Sequence, residues 1–246
     1  MLLVMSQDDF QPYVPQTVLV VGAHADDIDV TAGGSVAVWA KAGASVEYVV
    51  ITDGCKGTKA HDVSGESIAE VRAVEQQNAA HLLGAGTVHF LGYEDSNLEV
   101  TTELKKDLVR IIRQVKPDTV VVMDPTVLYS SKLGMINHTD HRAAGLATLD
   151  AVYPLARDHL TFAELQKEGL EPHSTAHVLL TNFETQNYYV DISDTIDLKL
   201  RALAQHISQF PDIDALQTRM REFAASSGER AGYDYAEGFV RIDIAV

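Results

Sequence analysis

Two short stretches of this chain concentrate groups that could do chemistry together: His24-Ala25-Asp26-Asp27 and His138-Thr139-Asp140-His141. Imidazole nitrogen and carboxylate oxygen are ordinary donors to zinc, and a catalytic zinc takes three protein ligands and keeps one position open for water. The two stretches together hold more donors than that. The surplus could serve as a general base and as a stabiliser of a developing oxyanion. Local structure alone explains less. Asp26 and Asp27 could cap a helix start, but a cap needs no histidine beside it. His138 and His141 stand three apart, so on a helix they share one face.

Stretches this far apart meet only if the fold brings them together. Residues 17–21 are a β-branched, apolar run that suits a strand buried on both faces, and it stops at Gly22-Ala23-His24. The pattern predicts a helix over about 31–42, closed by Gly43, and a second buried strand over 46–52. Residues 55–65 read as a loop. Ser67 and Glu70 have the spacing of a capping box, so a helix should run from there to Leu83. A strand over 88–91 follows. Leu104, Leu108, Ile111, Ile112 and Val115 recur at helical spacing until Pro117 stops them. A strand over 119–123 delivers Asp124, a loop runs to Asn137, and a helix covers 138–152.

Beyond residue 155 the alternation weakens. Strands are expected over 177–181, 188–191 and 239–244, a helical stripe over 196–207, and a helix over 214–225. This rhythm predicts one Rossmann-like α/β domain over residues 17–246: three layers, a mostly parallel sheet, and helices on both faces. Ligands in such sheets sit beyond the carboxyl ends of the strands. That places His24 to Asp27, Asp53, Asp124 and His138 to His141 at one rim.

Composition narrows the partners. The 246 residues are 46% apolar and 22% charged, with a formal net charge of -16. Such an acidic surface repels phosphate backbones and anionic lipid, so neither nucleic acid nor membrane is expected. A single cysteine, Cys55, rules out an internal disulfide and suits a reducing compartment. Residues 1–16 lack a basic segment followed by a long apolar one, so they read as a lead-in rather than a signal peptide. A cytoplasmic enzyme is the expectation.

The sequence resembles the PIG-L or LmbE-like N-deacetylases. That family is marked by H-P-D-D near its start, a Gly-Gly pair soon after, and H-P-D-H beyond the middle strands. Here these stand as His24 to Asp27, Gly33-Gly34 and His138 to His141. Flanking matches are Thr52-Asp53-Gly54, Arg72 with Glu75, Leu91-Gly92-Tyr93, Val190 to Ser193 and His206 to Gln209. Both family prolines are missing, replaced by Ala25 and Thr139. Neither contributes an atom to metal or substrate in the family, so the ligand assignment stands while the loops lose a fixed φ.

The resemblance implies an LmbE-like fold and one Zn2+ per chain, held by His24, Asp27 and His141. Fe(II), Co(II) or Ni(II) would also suit such donors. It implies Asp26 as general base, protonated His138 as oxyanion stabiliser, and Asp140 as the carboxylate that fixes a histidine. Arg72 would grip substrate hydroxyls or phosphate. Apart from the resemblance, Tyr129 sits in the loop before the second stretch, from which it could reach the oxyanion. The implied substrate is a small amino sugar carrying an N-acetyl group. The alternatives are a larger thiol or antibiotic amide conjugate, or metal or sugar binding without turnover. Several family members form homo-oligomers, and this sequence shows no interface signature. A dinucleotide site fails on spacing, because Gly22 leads into acids that would repel a pyrophosphate. His61, His81, His89, His159, His173 and His177 show no partner pattern. His206 is expected in a cap or a core hydrogen bond, and Cys55 as a bystander.

Overall fold

The computed structural model describes residues 13–58, 64–131 and 133–245. Most of the N-terminal lead-in, His61 and the middle of the 55–65 loop lie outside the described residues. The rest forms a single α/β domain around a seven-stranded sheet in the order β3-β2-β1-β4-β7-β9-β8. The strands are β1 (Thr17–Gly22), β2 (Ser45–Thr52), β3 (Val88–Tyr93), β4 (Thr119–Met123), β7 (His177–Thr181), β8 (Tyr188–Asp191) and β9 (Ala236–Asp243). β3, β2, β1, β4 and β7 run parallel, and β9 turns antiparallel to both β7 and β8.

The apolar runs explain this order. Val18 and Val20 face one core, while Leu19 and Val21 face the other. A strand buried on both faces needs a helical layer on each side. The first face is covered by α1 (Asp27–Lys41), α2 (Gly65–Leu83), α6 (Ile196–Leu203) and α7 (Ile213–Ala231). The second is covered by α3 (Thr102–Val115) and α4 (Thr139–Asp150), followed by a wide helical turn over Ala151–Leu155. A short α5 (Ala163–Lys167) and a two-stranded hairpin, β5 (Tyr129–Ser130) with β6 (Met135–Ile136), complete the described elements. None of the described helices is long and apolar enough to cross a membrane.

Several boundaries differ from the sequence reading, each for a local reason. α1 begins at Asp27, four residues early, because the acidic residues lie within its first turn instead of preceding it. α2 is capped by Ser64, whose side chain accepts from Ser67 N, so Ser67 stands inside the helix and not at its cap. α7 runs on to Ala231, where Gly232 takes the left-handed conformation that ends it. β5 and β6 fall in the stretch expected to be plain loop, being too short for a periodic signal.

The chain leaves β1 toward β2 and β3, then returns to β4 on the opposite side of β1. This reversal opens a crevice between the ends of β1 and β4. His24 to Asp27 follow β1, and the segment from β4 leads to His138 at the start of α4.

The seating of α4 against β4 depends on Gly145, since a Cβ there would run into the Met123 carbonyl oxygen and within 3.0 Å of the Pro125 ring. Gly145→Ala should therefore cost about 1–3 kcal/mol of stability by overpacking, seen as a melting point lower by several degrees. An unchanged melting point would mean that α4 is not held this closely.

Candidate active site

Asp26 ends the turn after β1 with φ 97° and ψ −32°. A non-glycine residue on that side of the map costs on the order of 1–3 kcal/mol and needs its surroundings to hold it. α2 supplies them. Gln76 Oε1 accepts from Asp26 N at 2.9 Å. Arg72 Nη2 donates to the Ala25 carbonyl at 2.8 Å and Nη1 to the Gly54 carbonyl at 3.0 Å. The same Nη2 lies 3.7 Å from Asp26 Oδ2.

Asp27 joins the two histidine stretches. Its Oδ2 lies 3.4 Å from His24 Nδ1, and its Oδ1 lies 3.1 Å from His141 Nε2. The far nitrogen of each ring is also engaged. His24 Nε2 lies 3.2 Å from Asp140 Oδ2 and 3.4 Å from Asp95 Oδ1. His141 Nδ1 lies 3.1 Å from Asn137 Oδ1. His138 is the N-cap of α4, its Nδ1 accepting from Asp140 N at 3.2 Å. That bond leaves the neutral ring its proton on Nε2.

Among the described residues, two donor groups on this rim are compact enough for a cation: His24, His138 and His141, and His24 with Asp95 and Asp140. The carboxylates of the second group are already occupied. Asp140 accepts from Ser96 N and Leu98 N, and Asp95 accepts from Lys56 N and Ser96 Oγ. They sit behind His24 as carboxylates that fix a ligating ring do. His24 Nδ1 and His141 Nε2 each face one oxygen of Asp27, and that donor chemistry fits a divalent transition ion.

The charges follow from the packing. Burial opposes protonation of His24, but its bonds to Asp27 and Asp95 outweigh this and push its pKa up to about 10. Burial and then the Asp27 charge raise Asp26 to about 7, against the pull of Arg72, His206 and His24. Burial, followed by the charges on His24 and His141, lowers His138.

The other candidates stand outside the group of facing His and Asp donors. Arg72 is buried and spends both terminal nitrogens on main-chain carbonyls. Tyr129 is 67% exposed, on the β5–β6 hairpin. Asp124 braces its own loop through Thr126 and Asn182. Burial and then Asp53 raise the Cys55 thiol, which keeps it protonated. His89 pairs with Glu47, His173 with the Pro117 carbonyl, and His177 with Asp243.

Sequence reasoning missed Asp95, Gln76 and Asp29. Asp95 comes two residues after Tyr93 of the quoted Leu91-Gly92-Tyr93, so attention to flanking acids could have found it. Asp29 is wholly buried, and its Oδ2 accepts from Gln76 Nε2 at 2.7 Å and meets His206 Nε2 at 2.8 Å. Glu75 holds the next turn through Ser208 N and Oγ. A cleft of about 340 Å³ opens from Asp26, Asp27 and His141 toward α7.

Residues 19–152 match the family model described as PIG-L: GlcNAc-PI de-N-acetylase. The chain is 34% identical over 240 residues to the diacetylchitobiose deacetylase of Thermococcus kodakarensis, covering 95% of this chain and 87% of that one. The solved N,N'-diacetylchitobiose deacetylase of Pyrococcus horikoshii superposes with a TM-score of 0.86 at 34% identity, covering 93% of this chain and 84% of that chain. The 4-carboxy-2-hydroxymuconate hydratase of Pseudomonas putida has the same fold, with a TM-score of 0.78 at 21% identity over 94% and 98% of the two chains.

His206 offers a test of the network behind the site. Burial lowers its pKa, but the bond to Asp29 prevails and the net shift is upward from 6.5. A raised histidine contributes stability that is complete below the unfolded value and is lost as pH rises through the folded one. His206→Gln should cost about 1–3 kcal/mol in acid. Denaturant melts of both proteins at about pH 5 and about pH 9 should show the gap narrowing toward alkali. A gap that widens there would contradict the pairing.

Proposed function

The chain belongs to the PIG-L family of de-N-acetylases, and on that premise we propose that it is a zinc-dependent hydrolase that removes the N-acetyl group of a small N-acetylglucosamine-type substrate. The observation that carries this reading is the Asp27 carboxylate facing both His24 Nδ1 and His141 Nε2, with Asp26 adjoining. The relatives' substrates support the choice of amino sugar. The single thiol and the acidic surface suit a cytoplasmic setting.

His24 through Nδ1, Asp27, and His141 through Nε2 would hold the ion. A divalent cation there supplies Lewis acidity, which polarises an acyl oxygen and acidifies water. The protein's part begins with Asp26. A carboxyl raised to about 7 sits near the operating pH, where a general base is most effective. It takes a proton from the attacking water at its carboxylate and returns it to the leaving nitrogen, which departs as an amine. His138 donates from Nε2–H to the acyl oxygen as charge builds on it. The lowered pKa favours a neutral ring in this role over the protonated one that the family resemblance implies. Arg72 acts through Asp26, by fixing the carbonyls of Ala25 and Gly54 in the turns after β1 and β2, and Asp140 acts through His24.

Three variants separate these roles. Asp26→Asn should keep about one metal per chain and lose about 10²–10⁴ in kcat. His138→Ala should keep the metal and lose about 10²–10³. His24→Ala should lose the metal. Metal analysis and amine release from N-acetylglucosamine and diacetylchitobiose provide the readings. Full-speed turnover by Asp26→Asn would remove the base from the proposal, and undiminished metal in His24→Ala would remove the site.

A further inference from the structure

Beyond Asp26, Asp27 and His141, the cleft is lined mainly by apolar side chains, with Thr31 and Arg219 as the polar exceptions. Its methionines are Met123, at the end of β4, Met135, on the hairpin, and Met220, on α7. These are all the methionines of the chain beyond its first five residues. Its aromatic walls, Phe183, Phe210 and Phe223, come from the segments after β7 and α6 and again from α7. Separate segments converge here, so the surface is not simply one helix's unpartnered stripe.

The polar groups on these walls, among the described residues, are few. Thr31 Oγ1 donates to the Asp27 carbonyl at 2.8 Å. Arg219 is exposed, with its guanidinium 5.2 Å above the Phe223 ring. A second sugar lying here would find few partners for its hydroxyls on these walls. An acetyl group alone would fill little of 340 Å³. Thioether side chains, flexible and polarizable, adapt to apolar groups of varied shape.

We propose that this trough binds an apolar group, aliphatic or aryl, carried by the amide substrate. The proposal builds on the deacetylase reading and narrows its substrate. The reacting end of the substrate must lie at Asp26, Asp27 and His141. The trough opens directly from these residues, so whatever projects from the amide in that direction enters it. The apolar group can belong to the acyl chain or to an aglycone on the sugar; the wall chemistry is the same for both.

Two binding series distinguish these sources without turnover. In one, hexyl β-D-glucosaminide is compared with methyl β-D-glucosaminide by calorimetry on the metal-loaded protein. In the other, hexanoate is compared with acetate as an inhibitor or ligand. A fully buried methylene is worth about fourfold and a half-covered one about twofold. At least a tenfold gain is therefore expected in one series, and that series identifies the side of the amide that enters the trough. Phe223→Ser, at a position already 36% exposed, should reduce that gain by about threefold or more. If neither long member binds more tightly than its short partner, the trough proposal is overturned, whatever the amine-release assay gives. If hexyl glucosaminide or hexanoate gains affinity while no acetylated sugar releases amine, the deacetylase reading fails and the trough stands.

Discussion

The site depends on a contact made by one carboxylate. Asp27 stands at the first position of α1, yet its oxygens meet an imidazole from its own turn and one from α4, which begins after β4. Burial by itself would favour its neutral acid, but the imidazoles on either side hold it well below the usual carboxylate range. A carboxylate kept charged in a buried place needs such partners. The reversal of strand order at β1 and β4 brings those partners within reach. Donor cluster and topology are thus one constraint, since any slip of α4 along β4 would pull His141 away from Asp27.

Much of this was legible in the sequence, and the failures are informative. The β-branched runs at 17–21, 46–52 and 119–123 gave the strands because a doubly covered strand has no polar face to disguise it. The two His/Asp stretches were legible because their residue types have few structural reasons to stand together. The start of α1 was misplaced because Asp26 and Asp27 look like residues that precede a helix. Arg72 illustrates a deeper limit. A cation in a matched motif reads as a substrate grip, but Gly54 and Ala25 present carbonyls to it, and main-chain carbonyls leave no mark in a sequence. Gln76 was silent partly for the same reason, since its Oε1 accepts from the Asp26 amide.

Fold and chemistry separate in this architecture. A hydratase shares the domain at a TM-score of 0.78, so the three layers alone do not select hydrolysis. The distinction must lie in side chains at the rim. Here the rim carries a half-buried carboxylate, Asp26, beside the imidazoles of His24 and His141, whose other nitrogens are fixed by Asp140 and Asn137. An arrangement that spends a strained backbone on one aspartate is costly unless that carboxylate has work to do at that position. It is the local feature that most favours proton transfer over simple ligand binding.

The rigidity that this strain requires reaches to the far end of the chain. In α1, the Val30 carbonyl accepts from Lys199 Nζ at 2.7 Å, and the Gly34 amide donates to Glu237 Oε1 at 3.0 Å. Those are the two groups an ordinary helical turn would pair with each other. Lys199 and Glu237 are themselves a buried ion pair at 2.5 Å. Glu237 takes the Ser35 amide as well, at 2.7 Å. The pair thus ties α1 to α6 and β9 one turn beyond Asp27. Losing one partner of such a pair leaves a buried charge and costs several kcal/mol, whereas a tie made by apolar packing could relax gradually. A helix fixed in this way presents Asp26 and Asp27 at a set height above the sheet, and α2 needs only to hold the turn that precedes them.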